Sequence, residues 1–355
     1  MNNSGTVLFR GKGDTALERI KPVSEGEFRA INGNNLMLYD DFLANNVELS
    51  DETLKVYRSN LKIWFWYVHE FLGDKDHVKV KSIEFKRFQN WMVSRGCSSS
   101  DVAAKRSAIS SLNNYIEIYY GDDYPTFRNF INSAIKKPEK SFVHPKEPPT
   151  IDEINDMISK ITESETIKDK WQKIAYLKFA FDTGCRRAET IQLTKDIINA
   201  KLITKKIIKT DEHGNEVTLE ARYYLTDEIR CKGRGKTGKV RRFKISEDTM
   251  DAIKKWLECR GEDDCPYVFI SKRGNVVTPI SKSTLNKWSE SIFTPLLGRR
   301  FHPHCLREAR ATDIVVREGK NIKVAQSLLG HNSSETTEIY VINDSGDEES
   351  DELFV

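Results

Sequence analysis

A short segment rich in proline and lysine divides this chain into two blocks. Residues 136–149 read KKPEKSFVHPKEPP and hold four prolines and four lysines. Proline lacks a backbone N–H donor and keeps the residue before it out of the helical conformation, so this segment can extend neither a helix nor a sheet. We therefore predict an extended basic linker over 136–149, with a separate domain on each side of it.

The block before the linker has the pattern of a small helical domain. Residues 1–34 lack sustained apolar periodicity and are rich in Gly, Asn and charge, so we expect a flexible N-terminal arm there. Apolar residues then recur at helical spacing from Ser50 onward, and shorter helical patterns follow in 82–96 and 98–120. The sequence predicts a helical domain over 35–135.

The block after the linker mixes helices with strands. Thr150 is placed to cap a first helix, and a later helix breaks at Gly184. Strand-like runs separated by turn residues follow, at 201–210, 217–233 and 239–246. We predict a mainly α fold with a small antiparallel β-sheet, in which a second domain spans 150–343 and an acidic tail spans 344–355.

The charge distribution favours an anionic partner. Bases number 56 and acids 53, but six of the acids lie in 344–355, so the rest of the chain carries nine more bases than acids. The sequence contains no run of about 18 apolar residues and no start typical of a signal peptide. We therefore expect a cytoplasmic protein that does not cross a membrane.

The sequence gives no indication of a metal or a cofactor. Its six cysteines include no C-x-x-C pair, which favours free thiols over a zinc site. Residues 233–239 (GRGKTGK) match G-x-x-x-x-G-K, but Val240 stands where a P-loop needs Ser or Thr, and a strand-like run follows where a helix is needed. We expect neither a metal ion nor a nucleotide cofactor.

Cations on the predicted helices and in the linker are candidate contacts to a phosphate backbone. Three fall on one face of the helix that begins near Ser50, two lie among hydroxyl and amide side chains of the third long helix, and two begin the linker. These candidates are Lys55, Arg58, Lys62, Lys105, Arg106, Lys136 and Lys137. The alternative is an ordinary solvated surface for the helices and a simple spacer for the linker.

Four separated segments carry a common pattern. They are TGCRRAETIQL at 183–193, GKTGKVRRFKI at 235–245, HCLREARAT at 304–312 and LLGHNSSETTEIYV at 328–341. Together they resemble the tyrosine recombinase, or phage-type integrase, family, whose motifs they match in the same order. The helical block is similar to the core DNA-binding domain of that family.

The resemblance implies a set of catalytic residues and a reaction. The implied residues are Arg186, Lys236, His304, Arg307, His331 and the nucleophile Tyr340, with Glu189 in support. An enzyme of this family cleaves and rejoins DNA at specific sites through a 3′-phosphotyrosine link, without metal or ATP, and so integrates or excises a mobile element or resolves DNA. The expected partners are double-stranded DNA, further copies of the chain in a homotetramer, and accessory DNA-bending factors.

The chemistry of these residue types agrees with the implied roles. Each arginine of the set can fork onto two phosphate oxygens, and His304 lies three residues before Arg307 on one helical face. Lys236, at the tip of a predicted hairpin, can protonate the leaving 5′ oxygen. Lys232 and Lys239 lie on the same hairpin and are alternatives for that role.

Two residues depart from the family pattern. Glu308 follows Arg307 where His is usual, and Arg310 replaces an apolar or aromatic residue. The acid beside Arg307 either orients that guanidinium or weakens its field at the phosphate. Two other functions therefore stay open: a type IB topoisomerase-like relaxase with the same chemistry, and a DNA-binding protein whose active site has decayed.

Overall fold

The chain forms two compact units, Met1–Val143 and His144–Val355. The computed structural model describes residues 20–131, 147–210, 215–231 and 239–330, without the side chains of 209 and 210. The division between the units falls within the predicted linker. Most of that linker, with Lys136 and Lys137, lies outside the described residues, as does the predicted acidic tail.

The first unit is helical, as the sequence predicts. Its described helices are α1 (Glu25–Arg29), α2 (Gly33–Asn45), α3 (Asp51–Phe71), α4 (Ser82–Ser94) and α5 (Ser99–Tyr119), with a 3₁₀ turn at His77–Lys79. The two long helices begin where a hydroxyl is available as a cap. Ser50 accepts a hydrogen bond from the backbone N–H of Thr53, and Ser98 accepts one from that of Asp101.

Order begins before residue 35, which corrects the predicted boundary of the N-terminal arm. Ser24 caps α1 in a reciprocal arrangement with Glu27, and Phe28 of that helix is fully buried. Ile31 is also buried, between α1 and α2. A five-residue helix with one buried residue shows no measurable periodicity, so the sequence pattern missed it.

A buried histidine ties three segments of this unit together. The Trp64 Nε1–H group donates to His77 Nδ1 at 3.0 Å, and His77 Nε2 lies 2.6 Å from Asn113 Oδ1. Because Nδ1 accepts, the ring proton sits on Nε2 and is donated to Asn113. The backbone N–H of His77 donates to Asn35 Oδ1 at 2.7 Å, so α2, α3 and α5 all meet at this residue.

The second unit is built around one buried helix, α7. The described helices are α6 (Ile151–Glu163), α7 (Lys170–Thr183), α8 (Arg187–Thr190), α9 (Glu247–Arg260), α10 (Lys282–Trp288), α11 (Thr294–Leu297), α12 (Cys305–Thr312) and α13 (Ile322–Leu329). Ten of the fourteen residues of α7 are buried, so this helix is enclosed rather than amphipathic. Helices α6, α9 and α12 pack against it.

The predicted antiparallel strands are confirmed, but they form separate small sheets. The strands are β1 (Ile203–Thr210), β2 (Glu216–Leu225), β3 (Ile229–Cys231), β4 (Lys239–Arg241), β5 (Lys244–Ile245), β6 (Ile270–Arg273) and β7 (Val276–Pro279). One sheet has the order β1-β2-β5, while β3 pairs with β4 and β6 with β7. The β6–β7 hairpin was not predicted. The fold is mainly helical with small antiparallel sheets, and none of the described helices is long and apolar enough to cross a membrane.

The histidine buried in the first unit generates a prediction about acid stability. Burial lowers the pKa of His77 from 6.5 to about 4, although its hydrogen bond to Asn113 opposes the shift. The unfolded chain therefore binds a proton that the folded chain excludes, and stability is lost as the pH falls from 6.5 toward 4. Between about pH 7 and about pH 4.5 this group should cost about 2 kcal/mol of unfolding free energy.

Urea unfolding followed by circular dichroism at both pH values measures this loss. The matched variant is His77→Gln, which removes the titrating group and keeps a polar side chain. We expect the difference between the two pH values to be smaller in the variant by about 2 kcal/mol. Equal differences in the two proteins would show that His77 does not titrate in this way.

Candidate active site

Arg186 lies directly after the central helix and is held by a buried carboxylate. Gly184 ends α7 in the left-handed conformation, with φ +57°, and Arg186 then caps α8 with extended backbone. Glu189 accepts from the backbone N–H of Arg186 at 2.8 Å and from its Nη1 at 3.1 Å. The Glu189 side chain is 2% exposed and that of Arg186 is 29% exposed, so the carboxylate orients a guanidinium that still reaches solvent.

The hairpin that bears the candidate lysine is anchored beside Arg186. Residues 232–238 connect strands β3 and β4 and lie outside the described residues, and they include Lys232 and Lys236. Lys239 is the first residue of β4 and is exposed. Gln192 Nε2 donates to the carbonyl of Arg230 at 2.9 Å, and Gln192 Oε1 accepts from the Arg230 N–H at 3.1 Å. This amide acts as a strand partner for β3. Sequence reasoning missed Gln192, although it lies three residues after Glu189 in the first motif.

A buried thiol of this hairpin, Cys231, lies beside the carboxylate of Glu189. Burial, reinforced by the charge of Glu189 and a hydrogen bond to it, raises the pKa of Cys231 to about 11. The thiol therefore keeps its proton at neutral pH. The charges of Arg241 and Arg186 oppose this shift.

His304 is neutral mainly because it is buried. Burial, together with the charges of Arg307, His302 and Arg186, lowers the pKa of His304 to about 4, while the charge of Glu189 opposes the shift. His304 caps α12 and Arg307 follows one turn later. The structure therefore brings together Arg186, Glu189, His304 and Arg307, which the sequence places in two motifs more than a hundred residues apart.

Arg307 lies behind the site rather than at its surface. Its side chain is fully buried, Nη1 donates to the carbonyl of Gly184 at 2.5 Å, and Nη2 donates to that of Leu329 at 2.6 Å. These carbonyls belong to the C-terminal ends of α7 and α13, where helical partners are missing. The predicted fork of Arg307 onto two phosphate oxygens stays a prediction; in the structure, one N–H group of Nη1 and one of Nη2 donate to carbonyls at two helix ends.

Two glycines allow these helix ends to meet. A Cβ atom on Gly184 would lie 2.5 Å from Leu329 Cδ2, and one on Gly330 would lie 2.9 Å from Arg241 Cζ. Both glycines have positive φ. The T-G-x-R and L-L-G-H motifs are therefore in direct contact. His331 follows Gly330, but His331 and Tyr340 lie outside the described residues.

The structure separates the candidate DNA contacts of the first unit into two groups. Lys55 and Arg58 are exposed. Lys62 forms an ion pair with Glu25 and lies 5.0 Å above the Phe28 ring. Lys62 is therefore engaged within its own unit.

The predicted DNA contact at Arg106 is corrected by the structure. Arg106 is 8% exposed and lies 5.8 Å from the centre of the Phe85 ring, whereas Lys105 is partly exposed. Burial lowers the pKa of Arg106. Residue 106 follows Val102 by four positions and precedes Ile109 by three, so helical periodicity places it on the buried face.

The departure at Arg310 has a local explanation. Its Nη1 donates to Asp313 at 2.7 Å and to Glu318 at 2.8 Å, and its guanidinium lies 5.5 Å from the Phe181 ring. The charge is thus neutralised within the second unit. Glu308 is partly buried, next to Arg307 in the chain.

The site shows no sign of a metal centre among the residues that the structure describes. Within those ranges, no three His, Cys, Asp or Glu side chains come together as metal ligands would.

Comparison with known proteins gives a consistent result. Residues 150–346 match the model of the phage integrase family. The SPbeta prophage-derived recombinase-like protein YomM of Bacillus subtilis is 29% identical over 342 residues, which cover 95% of this chain and 96% of that protein. A tyrosine recombinase of Thermosipho africanus is 24% identical over 86% of this chain and 93% of its own length.

Solved structures share the fold. XerH site-specific recombinase bound to palindromic difH substrate superposes with a TM-score of 0.63, covering 95% of this chain and 98% of that one at 17% identity. The Tn1549 transposon integrase in complex with transposon right end DNA gives 0.61, covering 90% and 99% at 17% identity. At this identity the likeness concerns the fold.

The position of Arg307 generates a prediction about stability. The substitution Arg307→Lys keeps the positive charge, but the single ammonium group of lysine cannot reach two carbonyls on different helices. We expect the substitution to lower the unfolding free energy of the second unit by about 2 kcal/mol. Arg300→Lys is the matched control because Arg300 is exposed. Thermal unfolding of both variants measures the effect, and equal melting temperatures would contradict the clamp at Arg307.

Proposed function

Because the chain belongs to the phage integrase family and is a tyrosine-type site-specific DNA recombinase, we propose that the scissile phosphate binds at Arg186 and is attacked by Tyr340. The observation that carries this proposal is the guanidinium of Arg186, oriented by the buried Glu189 and open to solvent. A pre-oriented guanidinium can donate to two oxygens of one phosphate without reorganising during the reaction.

The charge around Arg186 supports the same assignment. Arg307 is a buried cation at the back of the site; burial is the largest cause of the low pKa of His304, and the charges of Arg307 and Arg186 add to it. A field that disfavours a proton on an imidazole favours an anion at the same place. The site is therefore electrostatically prepared for a phosphodiester and for the extra negative charge of its transition state.

We assign each proton and bond change to one residue. The Tyr340 oxygen attacks phosphorus and forms a 3′-phosphotyrosyl bond while the bond to the 5′ oxygen breaks. Lys236 donates its proton to that leaving oxygen, and neutral His304 accepts the tyrosine proton. His331 donates to a phosphate oxygen. A 5′-hydroxyl then reverses these steps on the same or another strand, so the phosphodiester energy is conserved and no ATP is needed.

The remaining partners follow from the same family membership. The named structural relatives are bound to DNA, and we propose that both units of this chain bind a duplex, with Lys55 and Arg58 as phosphate contacts of the first. In this proposal four copies act on two sites of a mobile element, with accessory DNA-bending factors. The domain assignments are a DNA-binding helical unit, a catalytic unit over 150–343 and an acidic tail over 344–355.

The nucleophile is tested with a trapped intermediate. Footprinting on inverted repeats beside the gene first identifies a duplex that the protein binds. The same duplex is then prepared with a nick near the cleavage point, so that the short fragment bearing the 5′-hydroxyl dissociates after cleavage and the strand cannot be rejoined. In buffer containing EDTA, we expect wild type to form a covalent adduct on a denaturing gel and Tyr340→Phe to form none. Binding by wild type without an adduct would favour the decayed DNA-binding alternative.

The phosphate site is tested by removing its guanidinium. We expect Arg186→Ala to bind the same duplex but to cleave it roughly 10²- to 10³-fold more slowly, as for loss of one transition-state contact. The matched control is Arg187→Ala, which removes the neighbouring arginine that donates to Asn286. Single-turnover cleavage at saturating protein measures the chemical step. Equal rates for the two variants would remove Arg186 from the proposed role.

A further inference from the structure

The C-terminal end of α13 is held by two arginines from different elements. Arg241 Nη2 donates to the carbonyl of Ser327 at 3.1 Å and to that of Leu328 at 2.9 Å. Arg307 Nη2 donates to the carbonyl of the next residue, Leu329. Three consecutive carbonyls at the negative end of a helix therefore accept from two cations.

Arg241 has little freedom to leave this position. Its guanidinium lies 5.1 Å from the centre of the Phe243 ring, which is itself buried. On its other side it approaches Gly330 so closely that a Cβ atom there would lie 2.9 Å from Arg241 Cζ. The guanidinium thus fits a slot formed by an aromatic ring, a helix end and a glycine.

Arg241 is also the last residue of the strand that follows the lysine-bearing loop. In the β3–β4 hairpin Arg241 pairs with Ile229, and Lys239 pairs with Cys231 at the edge of residues 232–238. Gln192 anchors β3 to the segment of Arg186 and Glu189. The hairpin is therefore fixed on one strand to the phosphate-binding segment and on the other strand to the end of α13.

We propose that Arg241 is a positioning residue that holds the lysine-bearing hairpin in reach of the leaving 5′ oxygen. This inference rests on the proposed function, because it takes the hairpin lysine as the general acid. Arg241 does not touch the reacting atoms. It acts by fixing the base of the hairpin against the C-terminal end of α13, the helix that precedes His331 in the chain. The proton donor is thereby kept at a constant distance from the phosphate site.

The effect of Arg241 should be confined to departure of the leaving group. We expect Arg241→Gln to bind the duplex with wild-type affinity and to cleave it roughly 10- to 100-fold more slowly, as for loss of charge-assisted hydrogen bonds. A duplex with a sulfur in place of the bridging 5′ oxygen has a leaving group that departs without a proton. On that duplex the variant should cleave within about threefold of wild type.

The controls separate positioning from a loss of stability. Arg242→Gln makes the same charge change at the neighbouring, exposed residue, and we expect an unchanged single-turnover rate at saturating protein. Arg241→Lys keeps the charge without the planar fork and should recover part of the rate. It also serves as the test variant if Arg241→Gln does not fold, which thermal unfolding will show.

The result on the sulfur-containing duplex decides the inference. If Arg241→Gln, or Arg241→Lys in its place, is slowed equally on both duplexes, Arg241 does not act through the general acid and the inference is overturned. Failure of the proposed function has a different signature, since wild type would then form no adduct, or Tyr340→Phe would still form one, with either duplex. Rescue by sulfur in Lys236→Ala and in Arg241→Gln, but not in Arg186→Ala, supports both proposals.

Discussion

The second unit depends on one buried cation, Arg307, shared by two helix ends. A fully buried guanidinium is costly to desolvate, and the carbonyls of Gly184 and Leu329 offset that cost because each lacks a helical partner. A residue of the site follows each of these helix ends in the sequence. Arg186 lies two residues beyond Gly184, and His331 of the fourth motif lies two residues beyond Leu329. A single side chain therefore sets the distance between two parts of the site that are far apart in sequence.

Burial keeps the imidazole of His304 unprotonated, and the same cation adds to this effect. With Arg307 behind His304 and Arg186 beside it, a proton on the imidazole is disfavoured by charge as well as by burial. Glu189 opposes this effect, but it also hydrogen bonds to Arg186 and acts on the Cys231 thiol. The carboxylate of Glu189 thus orients the partly exposed Arg186 without cancelling the positive field of the site. Binding of a phosphodiester would relieve that field and make His304 a better proton acceptor at the moment when one is needed.

The sequence predicted the elements with local signals and missed those without them. Ser50 and Thr150 sit at helix starts because their hydroxyls satisfy free N–H groups, and this can be read from residue type alone. The burial of Arg106 was also readable, since it shares a helical face with Val102 and Ile109, but its charge was given more weight than its position. The burial of Arg307 could not be read, because its partners are backbone carbonyls of helices 123 and 22 residues away.

Arg310 bears on whether the active site has decayed. A residue that replaces an apolar side chain by drift would bring an uncompensated charge into a packed helix, at a cost in stability. Here the guanidinium is matched by Asp313 and Glu318, and Asp313 also pairs with Arg317. The charge of Arg310 is therefore compensated by carboxylates on the side of α12 that faces Phe181, while Arg307 of the same helix turns toward Gly184. Because its charge is matched within the unit, Arg310 is not by itself a sign of a decayed active site.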